Sequence, residues 1–149
     1  MADIIPGGRR RPMSAFLNQQ DYHRLASLRY VLRKFLTFSK ELLRSKAALT
    51  PEQYEALLAI KAFSTDEGLT VGQLSERVQV KHHTAVSLTD KLAARKLLTK
   101  RRSGGDRRYV YVKLTAAGTR LVATLAAAHR REIRKHAAEM AKSLSYLKK

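Results

Sequence analysis

Four arginines flank a double glycine in the run 97–114, LLTKRRSGGDRRYVYVKL: Arg101 and Arg102 before it, Arg107 and Arg108 after it. Guanidinium groups on a tight turn suit a polyphosphate backbone, or a narrow minor groove, where the negative potential is strongest. Val110, Val112 and Leu114 alternate with Tyr109, Tyr111 and Lys113, which predicts a strand with one inward face. Asp106 stands one residue from Arg108 and can hold its guanidinium outward. A preordered arginine loses less entropy when it inserts. Arg107 is placed for backbone phosphates, and Gly104 and Gly105 let the turn bend tightly.

A helical pattern over 82–96 leads directly into this hairpin. His82, His83, Thr84 and Ser87 sit near its start, where imidazole and hydroxyl groups can bond base edges or phosphate. Lys81 and Lys91 read as phosphate contacts, while Leu88 and Leu92 read as core by periodicity. A helix for the major groove followed by arginines for the minor groove is how a small domain touches both at once. The His82–His83 pair does not imply a metal, because adjacent helical residues diverge and no carboxylate is spaced to complete a site. His23, His129 and His136 are scattered, so no metal and no cofactor is expected.

The elements that must carry these groups follow from spacing and caps. Residues 70–73, Thr-Val-Gly-Gln, and 50–53, Thr-Pro-Glu-Gln, each pair a threonine cap with a glutamine three residues on. The first opens a short helix to about Val78. With 82–96 it makes a helix-turn-helix. The second opens a helix to about Phe63. From Phe16 to Lys46, Leu25, Leu28, Leu32, Phe35, Leu36, Ser39, Leu42 and Leu43 recur at helical steps. So long an apolar stripe near a terminus suits packing on a second copy. Thr115 caps a final helical region with Leu121, Val122, Leu125 and Ile133 on its stripe, and a bend or break is expected near 134–140. Residues 1–14 contain Pro6, Gly7, Gly8, Pro12 and the block Arg9 to Arg11, and read as a flexible basic arm.

Composition narrows the class. The chain has 149 residues and a formal net charge of +18, with an isoelectric point near 10.7. That charge suits nucleic acid or an anionic surface. A hydrophobic content of 44% argues against a disordered basic tail. There is no cysteine, which removes disulfides, thiolate metal sites and thiol redox sensing together. No run is apolar enough for a membrane span, and no secretory core opens the chain, so a soluble cytoplasmic, nucleoid-associated protein is expected. No catalytic triad, paired buried carboxylates or phosphate loop appears, so no enzyme is expected.

The order of elements resembles the MarR family of bacterial winged helix-turn-helix transcription regulators. The likeness is carried by LTPEQYEALLAI (49–60), LSERV (74–78), HHTAVSLTDKL (82–92) and above all GGDRRYVYVKLTAAG (104–118), whose Asp-x-Arg and Leu-Thr-x-x-Gly look like the family's wing signature. It implies a mainly α fold with a small β-hairpin: a winged helix lobe over 50–115, flanked by long dimerisation helices over 15–48 and 116–149, in a single domain over 15–149. Gly118 would leave room for close packing. Three positions depart from the pattern: Gln79 and Lys96 where glycine is common, and Lys81 where a serine-like cap is common. They imply turns and caps satisfied differently.

The resemblance further implies a homodimer reading a pseudo-palindrome with recognition helices roughly 34 Å apart. It implies a ligand-responsive repressor of duplex DNA, released by a small aromatic or phenolic anion. Tyr22, His23, Arg29 and Tyr54 are the candidates to line an effector crevice, and each is equally explained by packing. The alternative is a non-specific nucleoid- or RNA-binding protein in which charge alone acts. The ordered wing and capped helices speak against it, and exposed aromatics among the basic residues are limited to Tyr109 and Tyr111.

Overall fold

The computed structural model describes residues 16–149 except Arg107; the arm expected over 1–14 lies outside the described residues. Among the described residues five helices and three short strands follow in the order α1 (Gln19–Ala47), α2 (Pro51–Phe63), β1 (Leu69–Thr70), α3 (Val71–Val78), α4 (His82–Ala94), β2 (Leu98–Arg102), β3 (Val110–Leu114) and α5 (Ala116–Leu147). The protein is mainly helical with a small antiparallel sheet, and its elements have the winged-helix order. The described residues form two compact units, one of residues 16–36 with Ile133–Lys149 and one of Thr37–Glu132.

The larger unit holds the core and the groups that suit nucleic acid. Leu43, Leu57, Ile60, Leu74, Leu92, Leu98 and Val112 are fully buried in it, with Leu49, Val122 and Leu125 almost so. Both expected capping boxes form. Thr50 Oγ1 accepts from Gln53 N while Gln53 Oε1 accepts from Thr50 N, and Thr70 and Gln73 repeat the exchange. His129 is buried on α5, where its ring stacks on Tyr54 at a centroid distance of 4.5 Å. Its Nδ1 lies 2.7 Å from the Leu125 carbonyl, which can only accept, so Nδ1 carries the proton. Nε2 then meets the Ser39 hydroxyl at 2.8 Å.

The sheet has the order β1-β3-β2. Strand β1 was not legible as a strand, because two residues carry no alternation. It pairs Leu69 with Val112 and Thr70 with Tyr111. Gly68 precedes it with φ +111°, and a Cβ there would stand 2.4 Å from the Val112 carbonyl oxygen. Only glycine allows both that backbone and that approach.

In the smaller unit, α1 starts three residues later than its apolar pattern suggests. Asn18 sets the boundary: its Oδ1 accepts from the Gln20 and Asp21 amides, and its own amide donates to Asp21. The bend expected near 134–140 is absent, and α5 is continuous from Ala116 to Leu147. No glycine or proline interrupts it there, and Arg134, Lys135, Ala137, Ala138, Glu139 and Ala141 are strong helix formers. Leu25, Leu32, Leu36 and Ile133 of the apolar stripes read from the sequence are exposed among the described residues. Leu36 is 56% exposed and Ile133 43%, and Tyr22, Tyr30 and Leu144, which lie outside the stripes read from the sequence, are exposed as well.

Candidate nucleic-acid interface

The tight turn between α3 and α4 is built without glycine. Gln79 adopts the left-handed conformation at φ 57°, and its amide together with that of Val80 donates to the Glu76 and Ser75 carbonyls. Its side-chain Nε2 also donates to the Glu76 carbonyl, at 2.6 Å. A polar residue thus closes a helix end that glycine commonly closes. Lys81 is the N-cap of α4 but supplies no side-chain acceptor. Lys81 is exposed, and without a side-chain cap the first amides of α4 keep the partial positive charge of a helix start.

Helix α4 divides cleanly into two faces. Ala85, Leu88, Thr89 and Leu92 are buried. Lys81, His82, His83, Ser87 and Lys91 are exposed, and Thr84 is half-buried. The expected boundary at Lys96 shortens to Ala94, because Lys96 takes φ 58° and its amide turns back to the Ala93 carbonyl.

The wing follows the expected hairpin, with Leu98 opposite Leu114 and Arg102 opposite Val110. Its tip is held by local bonds: Ser103 N to Tyr109 O at 3.0 Å, and Tyr109 N to Asp106 O at 3.2 Å. Asp106 and Arg108 form the expected pair. Arg108 Nε lies 3.0 Å from both carboxylate oxygens and Nη2 lies 2.6 Å from Oδ2, while the Arg108 amide donates to Oδ1. The Arg108 side chain is still 83% exposed. The side-chain bonds from Arg108, then its amide, hold the Asp106 carboxyl below its usual range, and the Arg108 guanidinium is raised in return. Arg107 lies outside the described residues.

Helix and wing converge on one concavity of about 420 Å³. Val71, Val86 and Val110 supply apolar lining, and His82, Lys100, Arg102, Arg108 and Tyr109 supply polar and aromatic groups. The structure thus gathers His82, Arg102 and Arg108 from distant stretches of the chain. Arg101, on the opposite parity of β2, is exposed outside that group. Lys100 belongs to the lining and was not singled out from the sequence. The available signal was alternation, since 100 and 102 must share a strand face. Lys100 also pairs with Asp90 of α4, Nζ to Oδ1 at 2.5 Å.

The effector candidates separate. Tyr22, His23 and Arg29 are exposed on α1 in the smaller unit. Tyr54 is buried in the larger one and stacked on His129, with burial raising its phenol above the usual range.

Residues 49–108, which contain α2, the helix-turn-helix and most of the wing, match a family model described as MarR family. Over that span the chain is similar to the MarR family. MarR-family structures also share the fold. AbsC, a MarR family transcriptional regulator from Streptomyces coelicolor, superposes with a TM-score of 0.71 at 18% identity, covering 89% of either chain. FabT from Streptococcus pneumoniae, in complex with DNA, gives 0.67 at 22% identity over 85% of this chain and 94% of its own. The complex of S. aureus MepR with DNA gives 0.60 at 23% identity over 80% of this chain and 98% of its own. A search of curated proteins returns no sequence match. Among the described residues no helix is long and apolar enough to cross a membrane.

Proposed function

We propose that the protein is a sequence-specific, double-stranded DNA-binding transcription regulator, acting as a homodimeric repressor and not as an enzyme. One observation carries the reading: the exposed start of α4 and the wing face one concavity whose rim holds His82, Lys100, Arg102 and Arg108. The first two turns of a helix at this position suit base edges, and an arginine preordered by Asp106 suits the adjacent minor groove. FabT and MepR are DNA complexes on the same fold, which supports duplex DNA as the partner.

Homodimerisation is supported by the exposed leucines Leu25, Leu32 and Leu36 at helical spacing on α1 and by exposed Ile133 on α5, large apolar groups rarely left to water together. Two copies would then present two α4 helices to a pseudo-palindromic site. Control by a small aromatic or phenolic anion is part of the same proposal, with Tyr22, His23 and Arg29 as its remaining exposed candidates. A bacterial cytoplasmic setting, on the nucleoid, goes with it.

The test is selection of bound fragments from random duplex DNA by the purified protein, followed by competition. A regulator enriches a two-fold-related motif and keeps it against excess unrelated DNA or RNA. Equal competition by all polyanions would instead support the non-specific alternative.

A further inference from the structure

Arg95 joins two helix ends that are far apart in sequence. It is the C-cap of α4. Its Nη2 donates to the Ala47 carbonyl at 2.7 Å and its Nη1 to the Ala48 carbonyl at 3.0 Å. Ala47 is the last residue of α1, and Ala48 leaves the helix at φ 49°, letting the Leu49 amide return to the Leu43 carbonyl. The Arg95 guanidinium therefore sits on the carbonyl end of α1, where the orphan acceptors and the negative end of the helix dipole both favour a cation. Two bonds from one planar fork fix direction as well as distance.

The same residue is anchored from behind by its own helix end. The Arg95 amide donates to the Lys91 carbonyl, the Lys96 amide to Ala93 and the Leu97 amide to Leu92, with Lys96 left-handed at φ 58°. Both helices thus finish in left-handed residues that are not glycine, Ala48 and Lys96, a conformation an ordinary side chain adopts only at a cost. Surrounding bonds must hold such ends in place. Leu43, Leu49, Leu92 and Leu97 are buried beside them, so neither end can shift freely.

We propose that Arg95 is a positioning residue for DNA reading, fixing the tilt of α4 against the end of α1. This rests on α4 being the helix that meets base edges. The 13 residues of α4 span about 20 Å, so a tilt of about 5° at Arg95 displaces His82 and His83 by about 1.7 Å. Such a shift breaks a base-edge hydrogen bond and leaves phosphate attraction almost unchanged, because base contacts are directional and phosphate attraction is long-ranged. Arg95 itself touches no DNA in this account.

The test compares Arg95→Lys and Arg95→Gln with the parent chain. Lysine keeps the charge and the stem but cannot fork. Glutamine removes the charge. Affinity is measured for the selected duplex and for a scrambled one across a salt series, alongside thermal melting and amide exchange of α4 in the free protein. The expected result is about a tenfold loss on the selected duplex for both variants, an unchanged scrambled affinity and salt slope for the lysine variant, and faster exchange along α4. A lower melting temperature with unchanged discrimination and unchanged α4 exchange overturns the proposal, since the residue then only stabilises. An equal loss on both duplexes with a shallower slope in Arg95→Gln, and none in Arg95→Lys, overturns it also, since the residue is then a phosphate contact. If the parent chain shows no preference for any duplex, the regulator reading fails on its own, and the exchange of α4 still decides whether Arg95 holds the helix.

Discussion

Lys100 on β2 reaches Asp90 on α4, Nζ to Oδ1 at 2.5 Å, and so ties the root of the wing to the helix that starts at His82. The Asp90 side chain is 60% exposed and that of Lys100 27%. An exposed pair of this kind adds little stability, about 0 to 1 kcal/mol. Its larger effect is electrostatic, because a carboxylate stands beside the concavity and occupies one of its cations. Asp90→Ala is expected to leave melting nearly unchanged and to tighten binding to any duplex. The salt dependence should steepen by about one released counterion. Fluorescence anisotropy across a salt series measures both. Weaker binding in the variant would show that the tie orients the wing more than it masks charge.

The Asp106–Arg108 pair makes a second prediction, with a sign that can be worked out. Asp106 has its carboxyl held below the ordinary value of 3.8. The pair is therefore intact above the ordinary carboxylate range and is lost only as the pH falls below it. An NMR titration of the Asp106 carboxyl should show a midpoint below 3.8, and that carboxyl should add no pH dependence to DNA binding near neutrality. Arg108→Ala should lower affinity for a selected duplex by about tenfold or more with unchanged circular dichroism. Asp106→Asn keeps the cation and loses its restraint, so a smaller loss of about threefold to tenfold is expected.

Much of this arrangement was readable because its signals are local. The two capping boxes need only residues three apart, and Asp106 finds Arg108 two residues away. What escaped reading depends on contacts across long separations. Arg95 meets Ala47 and Ala48, Ser39 meets His129, and β1 exists only because β3 lies beside it. The departures from the family pattern at Gln79 and Lys96 were visible as substitutions. Their resolution was not, since nothing local says that a non-glycine residue will accept a left-handed backbone when the surrounding amides are satisfied.

Glycine supplies a third prediction, as a matched pair. A Cβ on Gly118 would lie 2.0 Å from the Leu97 carbonyl oxygen, which is backbone and itself accepts from the Thr115 amide. Gly118→Ala must push α5 away from the start of β2, with an expected loss of about 1 to 3 kcal/mol. A Cβ on Gly72 would meet nothing nearer than Thr70 Oγ1 at 3.9 Å. Gly72→Ala lies within α3 and should instead stabilise by about 0.5 to 1 kcal/mol, through helix propensity. Chemical denaturation separates the two. Equal effects would mean that α5 and Leu97 are less closely packed than their backbones indicate.

Dimerisation and DNA binding should respond to salt in opposite directions. The smaller unit, which carries exposed Leu25, Leu32 and Leu36, also carries Arg29, Arg33, Lys34, Arg134, Lys135 and Lys142, with Asp21 and Glu139 as the acids among its described residues. Bringing two such surfaces together buries apolar area against like-charge repulsion, and screening relieves only the repulsion. Sedimentation equilibrium should therefore show a tighter dimer at higher salt, while affinity for duplex DNA falls. Leu36→Lys tests the apolar term without adding an attractive charge. Two leucines are lost per dimer, and burial of each contributes about 1.5 kcal/mol or more. The dimer should weaken by more than about a hundredfold while the buried core of the winged lobe keeps its melting profile. An unchanged dimer in Leu36→Lys would move the subunit contact away from this stripe, and with it the expected spacing of the two α4 helices.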